Sequence, residues 1–100
     1  MPIYILSEGF IQSNFRLGKV VITRGANEEL DMVSVLNTLH NKYMKCDWGD
    51  LFDEDKKQNV EALKDGGRIL ASYKDANDRK FWIITESDRS YTTILLPEEY

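Results

Sequence analysis

The sequence predicts an α+β domain: an early strand, two helices, then a C-terminal β-meander. Its sheet is expected to be antiparallel and three- to four-stranded, with the helices on one face. Three observations carry this. "GKVVIT" packs three β-branched apolar residues in a row, and the stretch after it changes to apolar residues at three- and four-residue spacing. A charged segment from Asp53 to Gly67 then carries helix start and stop signals. Finally "RILASY", "KFWIIT" and "YTTILL" follow one another as aromatic and β-branched runs separated by short polar loops.

Residues 1–17 carry β-type residues at Ile3, Tyr4 and Ile5 and again near Phe10 and Ile11, interrupted by Ser7, Glu8 and Gly9, which predicts one short strand at most. Gly18 to Thr23 form the next strand, and "RGAN" is a turn. From Glu28 to about Tyr43, residues Met32, Val33, Leu36, Leu39, His40 and Tyr43 share one helical face. Asn27 is placed as N-cap, Glu28 and Glu29 oppose the dipole, and Lys42 and Lys45 suit the C-terminal end. The second helix takes Asp53 as N-cap, Val60, Ala62 and Leu63 as a narrow apolar stripe, and Gly66 or Gly67 as its left-handed end.

Among the last three runs, Phe81 to Ile84 is apolar on both faces, so that strand is central, flanked by "RILASY" and "YTTILL". "KDANDR" and "ESDRS" read as hairpin loops. As an edge strand, "YTTILL" would offer an open hydrogen-bonding row to a second copy or a partner, with "PEEY" as protection by proline and charge.

One hundred residues suit a single domain over residues 1–100, and 42% hydrophobic residues suffice for a folded core. The net charge of −4 is spread over both halves and offers no basic footprint for DNA or RNA. With Cys46 the only cysteine, no intramolecular disulfide forms, which fits a reducing cytoplasm. No apolar run approaches the roughly 18 residues of a membrane span, and the first residues lack the basic start of a signal peptide. The expected location is the cytoplasm of the host cell, with no membrane partner.

Few constellations carry chemistry. His40 and Cys46 have no spacing that enforces contact and no third orienting group. "DWGD" reads as a tight turn that drops Trp48 onto the core; the alternative makes Trp48 an exposed anchor for a partner, rimmed by Asp47 and Asp50. In "TESDRSYTT", Glu86 and Asp88 form at most a partial cation site and Arg89 with Ser90 an anion site. The structural reading closes a hairpin, with Asp88 and Ser90 bonding to the loop and Arg89 pairing with a carboxylate. No phosphate loop, zinc spacing or nucleophile elbow occurs, so no catalytic residue, cofactor or metal ligand is assigned.

"GKVVITRGA", "CDWGDL", "EDKKQNVEAL", "GGRILASY" and "FWIITESDRSYTTILLPEEY" together resemble a family of small proteins of phages, plasmids and other mobile elements, often labelled only plasmid-related. The resemblance runs from Gly18 to Tyr100 and leaves out residues 1–17. It implies accessory work, and small acidic proteins of such elements include inhibitors of host defence, anti-CRISPR proteins among them. The leading expectation is a non-enzymatic protein that occludes a host or phage protein such as a CRISPR effector or restriction enzyme, through Asp47, Trp48, Asp50, Glu86, Asp88 and Arg89. The alternative is a small metal-dependent hydrolase or nuclease-like enzyme using Glu86, Asp88 and Arg89. A third reading is a chromosomal module that mimics or senses acidic polymers.

Overall fold

The computed structural model describes residues 3–7 and 15–100. The strands are β1 (Ile3–Ser7), β2 (Lys19–Thr23), β3 (Ile69–Lys74), β4 (Lys80–Thr85) and β5 (Tyr91–Leu95), in spatial order β1-β2-β5-β4-β3. The last three make the expected antiparallel meander with β4 between its partners. β2, however, runs parallel to β5, and β1 pairs antiparallel with β2. The sheet is therefore mixed and five-stranded rather than antiparallel and three- to four-stranded, within the α+β class that the sequence predicts. Val20, Val21 and Ile22 are buried in succession because β2 is an interior strand with both faces covered. The second β-rich patch near Phe10 and Ile11 lies outside the described residues.

The contacts that bring β2 to β5 are not visible to local pattern. The Lys19 N–H donates to the Ser90 carbonyl at 3.0 Å, and the Thr92 hydroxyl donates to the Leu17 carbonyl at 2.7 Å. Between them Gly18 has φ +66, and a Cβ there would lie 2.3 Å from the Arg89 carbonyl oxygen, so only glycine lets the two backbones approach. β5 is consequently an interior strand, not an edge. "PEEY" guards no edge: Pro97–Glu99 form a 3-10 turn, and the Glu99 carboxylate accepts from the Thr23 hydroxyl, the Gly25 N–H (3.1 Å) and the Leu96 N–H (3.0 Å). Burial alone would raise the Glu99 pKa, but these bonds outweigh it and hold the carboxyl below its usual range.

Two helices stand where the spacing predicts one. α1 spans Arg24–Glu29, including the "RGAN" predicted as a turn, and is capped by Thr23 rather than Asn27. It stops at Leu30, and α2 (Met32–Asn41) restarts from Asp31, whose carboxylate accepts from the Ser34 N–H at 3.0 Å and the Ser34 hydroxyl at 2.6 Å. The buried face of α2 is Val35, Thr38 and Leu39, whereas Val33 is 68% exposed, Leu36 41% and His40 exposed. Both stripes satisfy helical spacing, so period alone could not choose between them. A 3-10 turn at Tyr43–Lys45 then places Tyr43 and Met44 in the core.

α3 (Asp53–Asp65) ends at Gly66 in the left-handed conformation, as its sequence predicts. Its N-cap is Phe52, which makes no capping side-chain bond; Asp53 is the first helical residue. Val60 is 47% exposed, and the buried positions are Asn59 and Ala62. The helices lie on one sheet face, where Ala26, Val35, Leu39 and Ala62 pack with Ile22, Ile69, Phe81, Ile83 and Ile94.

A chain of buried hydroxyls crosses this core. Thr92 donates to the Leu17 carbonyl, so its oxygen accepts from Thr85 at 2.8 Å, and Thr85 in turn accepts from the Tyr43 phenol at 2.6 Å. Burial pushes the Tyr43 phenol pKa upward, so it stays a donor. In the β3–β4 hairpin, the Asp75 carboxylate accepts the backbone N–H groups of Asp31, Asn77 and Arg79, each at 2.9 Å. Burial opposes ionisation there, but the three bonds prevail and lower its pKa.

Candidate functional site

"DWGD" completes the sheet. Trp48 is 4% exposed and packs against Phe15 and Tyr43, with ring centroids 5.9 and 5.8 Å away, so its indole belongs to the core and not to a surface anchor. Gly49 forms a parallel bridge with Ser72 on the outer side of β3. There the Ser72 N–H donates to the Trp48 carbonyl at 3.3 Å, and the Asp50 N–H to the Ser72 carbonyl at 2.7 Å. Two residues along β3, the Asn59 amide donates to the Leu70 carbonyl at 2.8 Å and accepts the Leu70 N–H at 3.2 Å. The outer edge of β3 is thereby paired by a loop and one side chain, which closes it to further strands. Asp47 is exposed; its carboxylate accepts the Gly49 N–H, and its carbonyl accepts the Tyr73 phenol.

Past this bridge the chain exposes what it could have buried. Phe52 is 85% exposed at the N-cap of α3. A Ser or Asp there would contribute about 1 kcal/mol as a cap, and an exposed Phe forgoes about 1.5–3 kcal/mol of burial. The ring stands at a cleft of about 420 Å³ between the start of α3 and β3 and β4. Leu51, Leu70 and the half-buried Trp82 supply its apolar lining, and Asp50, Asp55 and Arg68 line it together with the uncharged polar Gln58, Asn59 and Ser72. Asp50 and Asp55 have no ion-pair partner among the described residues. Arg68 is committed: its guanidinium lies 5.1 Å from the Tyr100 ring centroid, donates to the Tyr100 hydroxyl at 2.5 Å and faces Glu86 at 3.6 Å. Tyr100 in turn meets Trp82 edge-on, at 5.6 Å and 69°.

From Asp47 to Asp55 there are five carboxylates and no basic residue. Asp53, Glu54 and Asp55 also fill the first turn of α3, where they offset the helix dipole at an end that lacks a side-chain cap.

The loop after β4 divides its polar residues among separate tasks. Asp88 accepts from the Ser90 hydroxyl at 2.6 Å and the Ser90 N–H at 3.0 Å, the bonds that hold its carboxyl below the usual range. Arg89, at φ +62, does not pair with a carboxylate as the sequence reading expects. It donates to the carbonyls of Gly67 (2.6 Å), Ala62 (3.0 Å) and Glu86 (3.1 Å), capping the C-terminal end of α3. Glu86 turns to Arg68. Of the six predicted partner-binding residues, Asp50 lines the cleft and Glu86 reaches it through Arg68, while Asp47 is exposed and bonds within its own turn, Trp48 is in the core, Asp88 shapes the hairpin and Arg89 caps α3.

Among the described residues no three His, Cys, Asp or Glu side chains gather where they could hold a metal ion. His40 is exposed on α2, and Cys46 ends the 3-10 turn in a left-handed conformation. No helix of the described residues is long and apolar enough to cross a membrane. No protein-family model, characterised protein or solved structure matches the chain.

Phe52, Arg68 and Trp82, which line the candidate cleft, and Tyr100, which contacts Arg68 and Trp82, were not singled out by sequence reasoning. Phe52 had a signal: an aromatic immediately before "DED", where a small polar cap is expected. Trp82 alternates out of the core face, but what covers the outer face of a sheet is a tertiary matter.

Proposed function

We propose that this chain is a non-enzymatic protein-binding accessory protein of a mobile element, which inhibits a host defence effector, a CRISPR nuclease or a restriction enzyme, by occluding its surface. The exposed Phe52 carries the reading. Its side chain buries little in this chain, lines a partly apolar cleft and lies in sequence between Asp50 and Asp53, the pattern of an aromatic anchor in a polar rim. The acidic face supports a protein partner over nucleic acid, whose phosphates it would repel. The resemblance to mobile-element proteins supports the choice of a defence effector. Glu86, Asp88 and Arg89 serve three different partner sets, which gives the hydrolase alternative no convergent ligands.

The test is expression in cells that carry a defence system and in isogenic cells that lack it. Restored phage plating in the first, with a stoichiometric complex recovered between the chain and the effector, is the expected result. Unchanged plating across the defence systems of its hosts, with no stoichiometric partner, would overturn the proposal.

A further inference from the structure

We infer that the cleft beside Phe52 receives an arginine side chain from an exposed segment of the partner protein. The inference rests on the protein-binding reading and goes on to name the chemistry that the surface recognises.

The walls and the rim ask for different things from one guest. Leu51, Leu70 and Trp82 offer apolar contact, which suits a stem of methylenes. Asp50 and Asp55 offer negative charge that no ion pair among the described residues engages. Arg68, the one cation among the described residues that line the cleft, is engaged by Glu86 and Tyr100 and leaves both carboxylates to the guest. A phosphate, carboxylate or nucleic acid would meet the wrong sign, and a purely apolar side chain would strand two carboxylates in a drier setting.

Arginine answers both demands: its stem lies along apolar walls, and its planar, weakly hydrated guanidinium stacks on aromatic rings while donating to carboxylates. The chain uses this chemistry next door, where the Arg68 guanidinium lies over the Tyr100 ring and donates to its hydroxyl. Phe52 stands as the second aromatic at the mouth, able to fold over the guest without disturbing the core, since its side chain contributes nothing to it.

The two tryptophans allow a direct test, because Trp82 lines the cleft and Trp48 is in the core. The full chain, labelled with nitrogen-15, is titrated with a short acetylated peptide of alternating glycine and arginine, with its citrulline counterpart, and with spermidine. The arginine peptide is expected to shift the Trp82 indole resonance and leave that of Trp48 in place. The double variant Asp50→Asn, Asp55→Asn, with its Trp48 resonance unchanged, is expected to bind the peptide at least roughly tenfold more weakly. A still Trp82 resonance, equal binding of the citrulline peptide, or undiminished binding by the double variant would overturn the inference. Spermidine binding as tightly as the peptide would do so as well, marking a site for free amines. If the peptide binds as stated while no effector is inhibited, the cleft assignment stands and the defence reading fails. Inhibition without any response of Trp82 overturns the assignment and leaves the defence reading intact.

Discussion

Asn59→Asp is the substitution that probes the sheet edge most sharply, because it keeps shape and acceptor while removing the donor. The native amide satisfies both the N–H and the carbonyl of Leu70 from a position only 4% exposed. At neutral pH the introduced carboxylate would still accept the Leu70 N–H but would face its carbonyl oxygen with no proton between them. An unpaired buried acceptor costs about 1–3 kcal/mol, and desolvating the new charge adds a cost of similar size. A net loss of about 3 kcal/mol is a large share of the roughly 5–15 kcal/mol that holds a domain together. It corresponds to a fall in Tm of about 12–24 °C for a chain of this length.

The deficit carries a pH signature. Burial and the facing carbonyl raise the folded pKa of the introduced carboxyl above its unfolded value, so the variant gains stability relative to wild type as pH falls through that raised value. Once protonated, the group donates to the Leu70 carbonyl and the native pattern returns. Urea unfolding of both proteins near pH 7 and near pH 4 measures the gap at each condition. A variant within about 0.5 kcal/mol of wild type at neutral pH, or a gap that does not narrow on acidification, would refute the reasoning.

Other perturbations test the remaining joints. Gly49→Ala puts a Cβ 2.1 Å from the Ser72 carbonyl at φ +72, so the bridge to β3 must open; thermal unfolding should show a loss of about 2 kcal/mol or more, and an unchanged Tm would contradict the bridge. Thr85→Val strands the buried Tyr43 phenol and should cost about 1–3 kcal/mol, whereas adding Tyr43→Phe should cost less than the two single effects combined; strict additivity in this double-mutant cycle would break the hydroxyl chain. Glu99→Gln should cost about 1 kcal/mol at neutral pH, after allowance for solvent screening. The native carboxyl's folded pKa is depressed, so this contribution is present above the unfolded Glu pKa and lost as pH falls through the folded one; a gap that grows on acidification would contradict it.

Local chemistry made much of this molecule legible. Strand boundaries followed the β-branched and aromatic runs, β4 matching "KFWIIT" residue for residue, and Gly66 ended α3 as a glycine after a charged helix should. What stayed hidden depended on distant partners. Nothing near Val20 says that its strand will lie parallel to "YTTIL"; that is set by the Gly18 approach to Arg89 and Ser90 and by Thr92 reaching Leu17. α2 carries apolar residues on two faces, and only packing decided that Val35 and Leu39 go inside while Val33 stays out.

The candidate site was legible in part for the same reason. Asp50 lines the cleft, but the rim that it and Asp47 would have formed was read around an exposed Trp48, and that residue was recruited into the core by Phe15 and Tyr43. The aromatic left outside, Phe52, lies four residues further on and stands out only by how little of its side chain the fold buries.

The most direct test of the central claim, that the acidic face around Phe52 is the working surface, is phage plating on defence-positive cells that express surface variants of equal abundance and Tm. Wild type and Val33→Lys, altered on the exposed side of α2, should both restore plating, whereas Phe52→Ala with Asp50→Lys should not. Restoration by the Phe52→Ala, Asp50→Lys variant equal to that by wild type would contradict the account.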